Sequence, residues 1–105
     1  MAVDKTVNLY PQPTLGYTSQ RLTVDATAGG VQFEDTFEPN TTYITFDVQD
    51  ADCYVTFDQS APTTTNGHKL YDTRSYTWHK NTALDAKFIR AGATDAILYL
   101  SEFVD

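Results

Sequence analysis

Beyond residue 21 the chain alternates apolar and polar residues with a period of two, the pattern of strands buried on one face. Leu22-Thr23-Val24-Asp25-Ala26 alternates in this way, and Val31-Gln32-Phe33-Glu34 repeats it after a turn at Gly29-Gly30. Glu38-Pro39-Asn40 then breaks the chain. The clearest strand is 42–48, with Ile44, Phe46 and Val48 on one face and Tyr43, Thr45 and Asp47 on the other. Residues 52–58 follow the same rhythm with Cys53, Val55 and Phe57 inward. The short joint Gln49-Asp50-Ala51 predicts that these two strands form an antiparallel hairpin. The expected core is therefore Ile44, Phe46, Val48, Val55 and Phe57.

A polar loop follows from Gln59 to Gly67, with Ala61-Pro62 and Asn66-Gly67 as turn formers. His68-Lys69-Leu70-Tyr71, Ser75-Tyr76-Thr77-Trp78-His79 and Lys87-Phe88-Ile89-Arg90 read as further strands, the last ended by Ala91-Gly92. The final strand, Ala96-Ile97-Leu98-Tyr99-Leu100, is apolar on both faces, and Phe103-Val104 follows it. One layer of a sandwich buries one face of each strand, so the second face predicts a cover from another subunit or from the N-terminal segment. Helix evidence is poor. Only Asn81-Thr82-Ala83-Leu84-Asp85-Ala86-Lys87 holds several helix formers, and so short a stretch gains little from propensity.

Residues 1–21 read differently. Tyr10-Pro11-Gln12-Pro13-Thr14 spaces two prolines two apart, which favours extended geometry and opposes a central strand. This segment reads as an extended N-terminal arm, and two roles for it stay open: reaching onto a partner, or strapping its own domain. The whole predicts an all-β protein: an antiparallel β-sandwich or jelly roll of about eight strands over residues 22–105, preceded by the arm over 1–21.

Composition agrees with this reading. The 105 residues make one domain, rich in threonine, tyrosine and phenylalanine, the types that suit a pleated half-buried surface. The sequence has no apolar run long enough for a transmembrane helix and no apolar stretch behind Met1-Ala2-Val3-Asp4-Lys5 to suggest a signal peptide. The net charge of −7 argues against nucleic acid and anionic membranes as partners, because both demand a basic surface. Charge is also uneven. Residues 22–68 carry eight acids and no lysine or arginine, whereas 69–90 hold Lys69, Arg74, Lys80, Lys87 and Arg90. Either the fold keeps an acidic and a mildly basic region apart, or it mixes them.

No residue pattern points to catalysis. His68 and His79 are the only histidines, and even with Asp72 nearby their spacing lacks the clustered histidines of a jelly-roll metal site. Asp47-Val48-Gln49-Asp50-Ala51-Asp52 offers oxygen ligands for calcium but lacks the glycine and later glutamate of a calcium-binding helix–loop–helix. The single Cys53 excludes an internal disulfide and reads as a small buried hydrophobe. No nucleophile elbow or phosphate loop is present, and Glu34-Asp35, adjacent on a strand, would point to opposite faces. Asn40-Thr41-Thr42 matches a glycosylation triplet without a secretory context. Tyr43, Tyr54, Tyr71, Tyr76, Trp78 and Tyr99 could supply rings for sugar stacking, although Tyr76 and Trp78 share one face of one strand, where rings more often serve a core or interface. Catalytic residues, metals and cofactors are accordingly expected to be none.

One stretch carries a resemblance. Tyr54-Val55-Thr56-Phe57-Asp58-Gln59-Ser60-Ala61-Pro62-Thr63-Thr64-Thr65-Asn66-Gly67-His68-Lys69-Leu70, followed by Ala86-Lys87-Phe88-Ile89-Arg90-Ala91-Gly92-Ala93-Thr94-Asp95-Ala96, resembles a pattern of small structural proteins of tailed bacteriophages. Its two stretches fall between residues 54 and 96; the first 40 residues lie outside it. In its own physics, Asp58 and Ser60 are placed to cap the turn that Pro62 stiffens, and Asn66-Gly67 to supply positive-φ positions for the return. The resemblance implies a jelly-roll decoration or cement protein on the exterior of the virion, made in the host cytoplasm, non-enzymatic, with the major capsid protein as partner. The alternative is a receptor- or glycan-binding module of a phage head fibre or tail. Under the first reading, Val3, Val7, Leu9, Tyr10 and Leu15 of the arm, together with Arg74, Lys87 and Arg90, are the expected contacts with the capsid or a neighbouring subunit. Ile97, Tyr99 and Phe103 are the expected interface of a homo-oligomer, trimer or dimer.

Overall fold

The computed structural model describes residues 12–13, 19–58 and 60–104. Its strands are β1 (Gln12–Pro13), β2 (Gln20–Val24), β3 (Tyr43–Gln49), β4 (Cys53–Thr56), β5 (His68–Leu70), β6 (Ser75–His79), β7 (Lys87–Arg90) and β8 (Ala96–Val104), with one short helix, α1 (Lys80–Asp85), between β6 and β7. The protein is thus mostly β, and its described strands form two antiparallel sheets.

The larger sheet is organised around β8. On one side β3 pairs along it from Tyr43↔Phe103 to Gln49↔Ile97, and β6 then pairs with β3. On the other side β2 pairs from Gln20↔Leu100 to Val24↔Ala96, and β1 adds Gln12↔Val104 and Pro13↔Phe103 farther along. Pro13 therefore stands at a sheet edge, the position proline tolerates. Gln20 and Arg21, at the end of the expected arm, belong to β2. The smaller sheet has the order β5-β4-β7.

Alternation explains how the layers meet. Ile44, Phe46 and Val48 of β3 and Ala96, Leu98 and Leu100 of β8 face inward and are completely buried. Cys53 and Val55 of β4, Leu70 of β5 and Phe88 of β7 join them from the other sheet in one core. Phe46 and Phe88 meet edge-on across the layers, with ring centroids 6.2 Å apart.

Four expectations need correction. First, β3 and β4 are not a hairpin: β3 pairs with β6 and β8, and β4 with β5 and β7, in the other sheet. Asp50, with φ of 73°, sits in the corner where the chain changes layers. Second, Phe57 is not in the core. β4 ends at Thr56, which takes the buried place and donates its hydroxyl to the Ser60 carbonyl at 2.7 Å. Phe57 is 37% exposed, its ring against Trp78 at 5.1 Å. Third, 31–34 forms no strand: Val31 makes a single bridge to Phe88, while Phe33 is buried against Phe46 and Phe88. Fourth, α1 exists. The His79 Nδ1 accepts the Asn81 amide at 3.1 Å, and Ala83 is buried in the core, so capping and packing supply what propensity does not.

The resemblance loop has the local chemistry expected of it at one end. Asp58 Oδ1 accepts both the amide and the hydroxyl of Ser60, and Thr63 and Asn66 bridge each other. Of the Asn66-Gly67 pair only Gly67 has positive φ, 153°. Gly30 (φ 86°) passes so close to Pro62 that a Cβ there would stand 2.9 Å from the proline Cδ, which ties the first turn to this loop.

Candidate functional site

The outer face of the larger sheet carries ordered rows of polar and aromatic side chains. Strand register places its side chains in rows. Arg21, Tyr99, Asp47 and Ser75 form one row across β2, β8, β3 and β6. Ser101, Thr45 and Thr77 form the next. Phe103, Tyr43 and His79 form a third. On the far side of the first row lie Thr23, Ile97 and Gln49.

Contacts fix several of these groups. The Ser75 hydroxyl donates to Asp47 Oδ1 at 2.5 Å. The Thr45 and Thr77 hydroxyls share a hydrogen bond of 3.2 Å. Tyr43 and Phe103 stack nearly parallel, at 15° with centroids 5.6 Å apart. The Arg21 guanidinium lies 5.9 Å from the centre of the Tyr99 ring, a ring that is 43% exposed. Between the aromatic rows runs a shallow trough of about 420 Å³ lined by Thr45, Asp47, Gln49, Tyr99, Ser101 and Phe103.

The expected contact residues scatter by comparison. Val3, Val7, Leu9, Tyr10 and Leu15 lie outside the described residues. Arg74 is exposed and stands 5.4 Å from the Tyr71 ring centre, as does Lys69 on the same ring. Lys69 also reaches Asp52 at 3.6 Å. Arg90 is paired with Asp95 at 2.6 Å, and Lys87 is half-buried on β7. The basic residues are thus interleaved with acids, which favours the mixed reading of the charge pattern. Of the expected oligomer contacts, Ile97 is buried, Tyr99 exposed and Phe103 half-buried in its stack.

The six rings do not form one row. Tyr76 and Trp78 pack against Phe46, at 5.5 and 4.7 Å, on the inner side. Tyr54 belongs to the smaller sheet and Tyr71 follows β5, which leaves Tyr43 and Tyr99 on the outer face. The apolar run that marks the last strand in the sequence stops at Leu100. Carrying its period of two to Val104 is the signal that brings Ser101 and Phe103 onto this face and turns Glu102 inward.

His68 begins β5 in one sheet and His79 ends β6 in the other, and among the described residues no histidine, cysteine and carboxylate side chains group as metal ligands. Asp47 is held by Ser75, whereas Asp52 accepts the Asp72 amide at 2.7 Å, so these two carboxylates of the 47–52 run are engaged separately. The Ser60 hydroxyl, with its amide, holds the Asp58 carboxyl below the usual carboxylate range. Burial, reinforced by the Asp52 carboxylate, pushes the Cys53 thiol up to about 12.

Cys53 yields a direct prediction. A disulfide reagent at pH 8 should leave the folded protein unmodified and label it at once in denaturant, because thiolate and access are both withheld. Since folding raises this pKa, its contribution to stability is complete below the ordinary thiol value of about 8.5 and is lost as pH rises toward the folded value. Rapid labelling of the native protein would contradict the buried placement.

No described helix is long and apolar enough to cross a membrane. No known family, curated protein or solved structure matches this chain.

Proposed function

We propose that the chain is a non-enzymatic decoration protein of a tailed bacteriophage, a jelly roll that binds the exterior of the capsid and strengthens it. The observation that carries this reading is the resemblance pattern and its arrangement in space. Residues 54–70 and 86–96, distant in sequence, supply nearly all of the three-stranded sheet β5-β4-β7 and its capped loop. The pattern thus coincides with one contiguous sheet, in which shape is fixed by local caps and strand pairing.

Strand order supports the jelly-roll part of the reading. From β2 onward the chain passes to the Val31 bridge on β7, returns to β3, crosses to β4 and β5, returns to β6, crosses to β7 and ends in β8. One layer then reads β2-β8-β3-β6 and the other Val31-β7-β4-β5. Repeated crossing between layers with long-range antiparallel pairing is how a jelly roll wraps.

A cement protein acts by bridging repeated capsid subunits. A homo-oligomer, trimer or dimer, multiplies weak single contacts by avidity. The part of the N-terminal segment that precedes β1 is the proposed capsid contact, since Pro11 lowers the entropy lost on docking, while Gln12 and Pro13 pair with β8. The protein should co-sediment with undecorated capsids and occur at high copy number in purified virions. A variant lacking residues 1–15 should keep its β-rich circular dichroism and lose capsid binding. Low copy number, or full binding by the truncated protein, would overturn the reading or its assignment of the contact. Binding that fell steeply with salt would move the contact to Arg74, Lys87 and Arg90, because exposed charges are screened over about 8–10 Å at physiological ionic strength.

A further inference from the structure

We propose that the outer face of the larger sheet is a binding site for a neutral oligosaccharide, centred on Tyr99. The inference goes beyond the capsid reading and does not depend on it.

The chemistry of the trough suits a sugar chain in three ways. Its ends are aromatic and its floor is polar. Tyr99 and Phe103 lie four residues apart on β8, about 13 Å at strand rise, which is room for a short chain of pyranose units rather than one ring. The exposed Tyr99 ring offers an apolar surface to the C–H face of a sugar, while Phe103, stacked on Tyr43, closes the other end of the trough. Between these ends stand the hydroxyls of Ser101 and Thr45, with the Asp47 carboxylate and the Gln49 amide beside Tyr99. These groups both accept and donate, as sugar hydroxyls require.

The same features disfavour other occupants. An extended peptide adds to the edge of a sheet, where backbone groups are open; this is a sheet face. An amphipathic helix needs a continuous apolar groove, and here a row of hydroxyls interrupts it. An anionic glycan would meet Asp47 on a protein of net charge −7. The trough is also pre-organised: Ser75 holds Asp47, Thr77 holds Thr45 and Arg21 lies over Tyr99, so little side-chain entropy remains to be lost on binding.

The test is a titration of the full chain with maltotetraose, cellotetraose, mannotetraose and tetra-N-acetylchitotetraose, followed by amide chemical shifts. At least one probe should shift the amides of residues 45, 47, 49, 99, 101 and 103 at concentrations up to about 10 mM. Tyr99→Ala should weaken that binding by up to about tenfold, the effect of losing roughly one stacking platform. Tyr71→Ala, which removes a ring of similar exposure outside the trough, should leave it unchanged. Tyr99 is exposed, so its loss does not endanger folding; Gln49→Ala is the second variant and should also weaken binding. The proposal is overturned if no probe shifts these amides, or if Tyr99→Ala leaves binding unchanged. It is equally overturned if the amides shift with protein concentration alone while light scattering shows an oligomer that Tyr99→Ala dissociates, because a second copy then occupies the face.

Discussion

Phe46→Ala should destabilise the protein by about 3–5 kcal/mol, the usual range for truncating a buried phenylalanine. Phe46 is completely buried in the centre of β3. Its ring touches four others: Trp78 at 4.7 Å, Tyr76 at 5.5 Å, Phe33 at 5.8 Å and Phe88 at 6.2 Å. Those rings come from β6, from the 31–34 segment and from β7, so this side chain joins both layers. Aromatic pairs each add about 0.5–1.5 kcal/mol beyond area burial, which places the cost toward the upper end. A domain of this size has only about 5–15 kcal/mol to lose, so the variant should unfold at a much lower denaturant midpoint. Tyr71→Ala, on an exposed ring, should shift the midpoint little. A Phe46→Ala midpoint equal to that of the parent would contradict the shared core.

The inward face of β3 was legible because Ile44, Phe46 and Val48 obey a period of two without interruption. What could not be read was partnership. A short joint between two alternating runs signals a hairpin, yet it serves equally as a corner between layers, and the choice is made by strands far away in sequence. β3 finds β8 about fifty residues on, and the seven pairs of that ladder outweigh any local preference. Phe57 shows a second limit. The β4 alternation fails at Val55-Thr56, where both residues are buried, and the phase flips before Phe57. Helix α1 was hidden for a third reason: its stability comes from Ala83 packing and the His79 cap, neither of which propensity records.

The candidate site was legible only in part. Tyr43 and Tyr99 are visible in the sequence as rings suited to stacking. Their shared face follows from the Asp47↔Tyr99 and Tyr43↔Phe103 register, a property of strand pairing that no single segment contains. The choice between separated and mixed charge is hidden for the same reason, because Asp95 and Asp52 come to lie beside Arg90 and Lys69 only once the chain is folded.

The second large effect concerns Glu102, a completely buried carboxyl on the inward face of β8. Its Oε1 accepts the Glu38 amide at 2.8 Å and the Thr41 hydroxyl at 2.7 Å, which clamps the connection entering β3 onto the end of β8. Among the described residues its Oε2 has no hydrogen-bond partner, so the clamp rests on one oxygen. Glu102→Ala should therefore cost about 2–4 kcal/mol, through orphaned donors and the cavity left behind. Glu102→Gln keeps an accepting oxygen in the same place and should lose about 1–2 kcal/mol less than the alanine variant. Thr41→Val removes one donor and should cost about 1 kcal/mol alone. Combined with Glu102→Ala it should cost less than the sum, because the hydrogen bond between the two side chains can be lost only once. Strict additivity in denaturant melts would show that the two side chains do not act together. The clamp also bears on the outer face. Glu102 lies between Ser101 and Phe103 on the same strand, and the Thr42 amide just beyond the clamp bonds the Phe103 carbonyl at 3.0 Å. Loosening it should free the Tyr43–Phe103 stack, so Glu102→Ala should broaden the resonances of both rings while those of Tyr71 stay sharp. Ring resonances unchanged in a destabilised Glu102→Ala protein would show that the anchor holds the connection alone and leaves the aromatic platform to its own strand pairing.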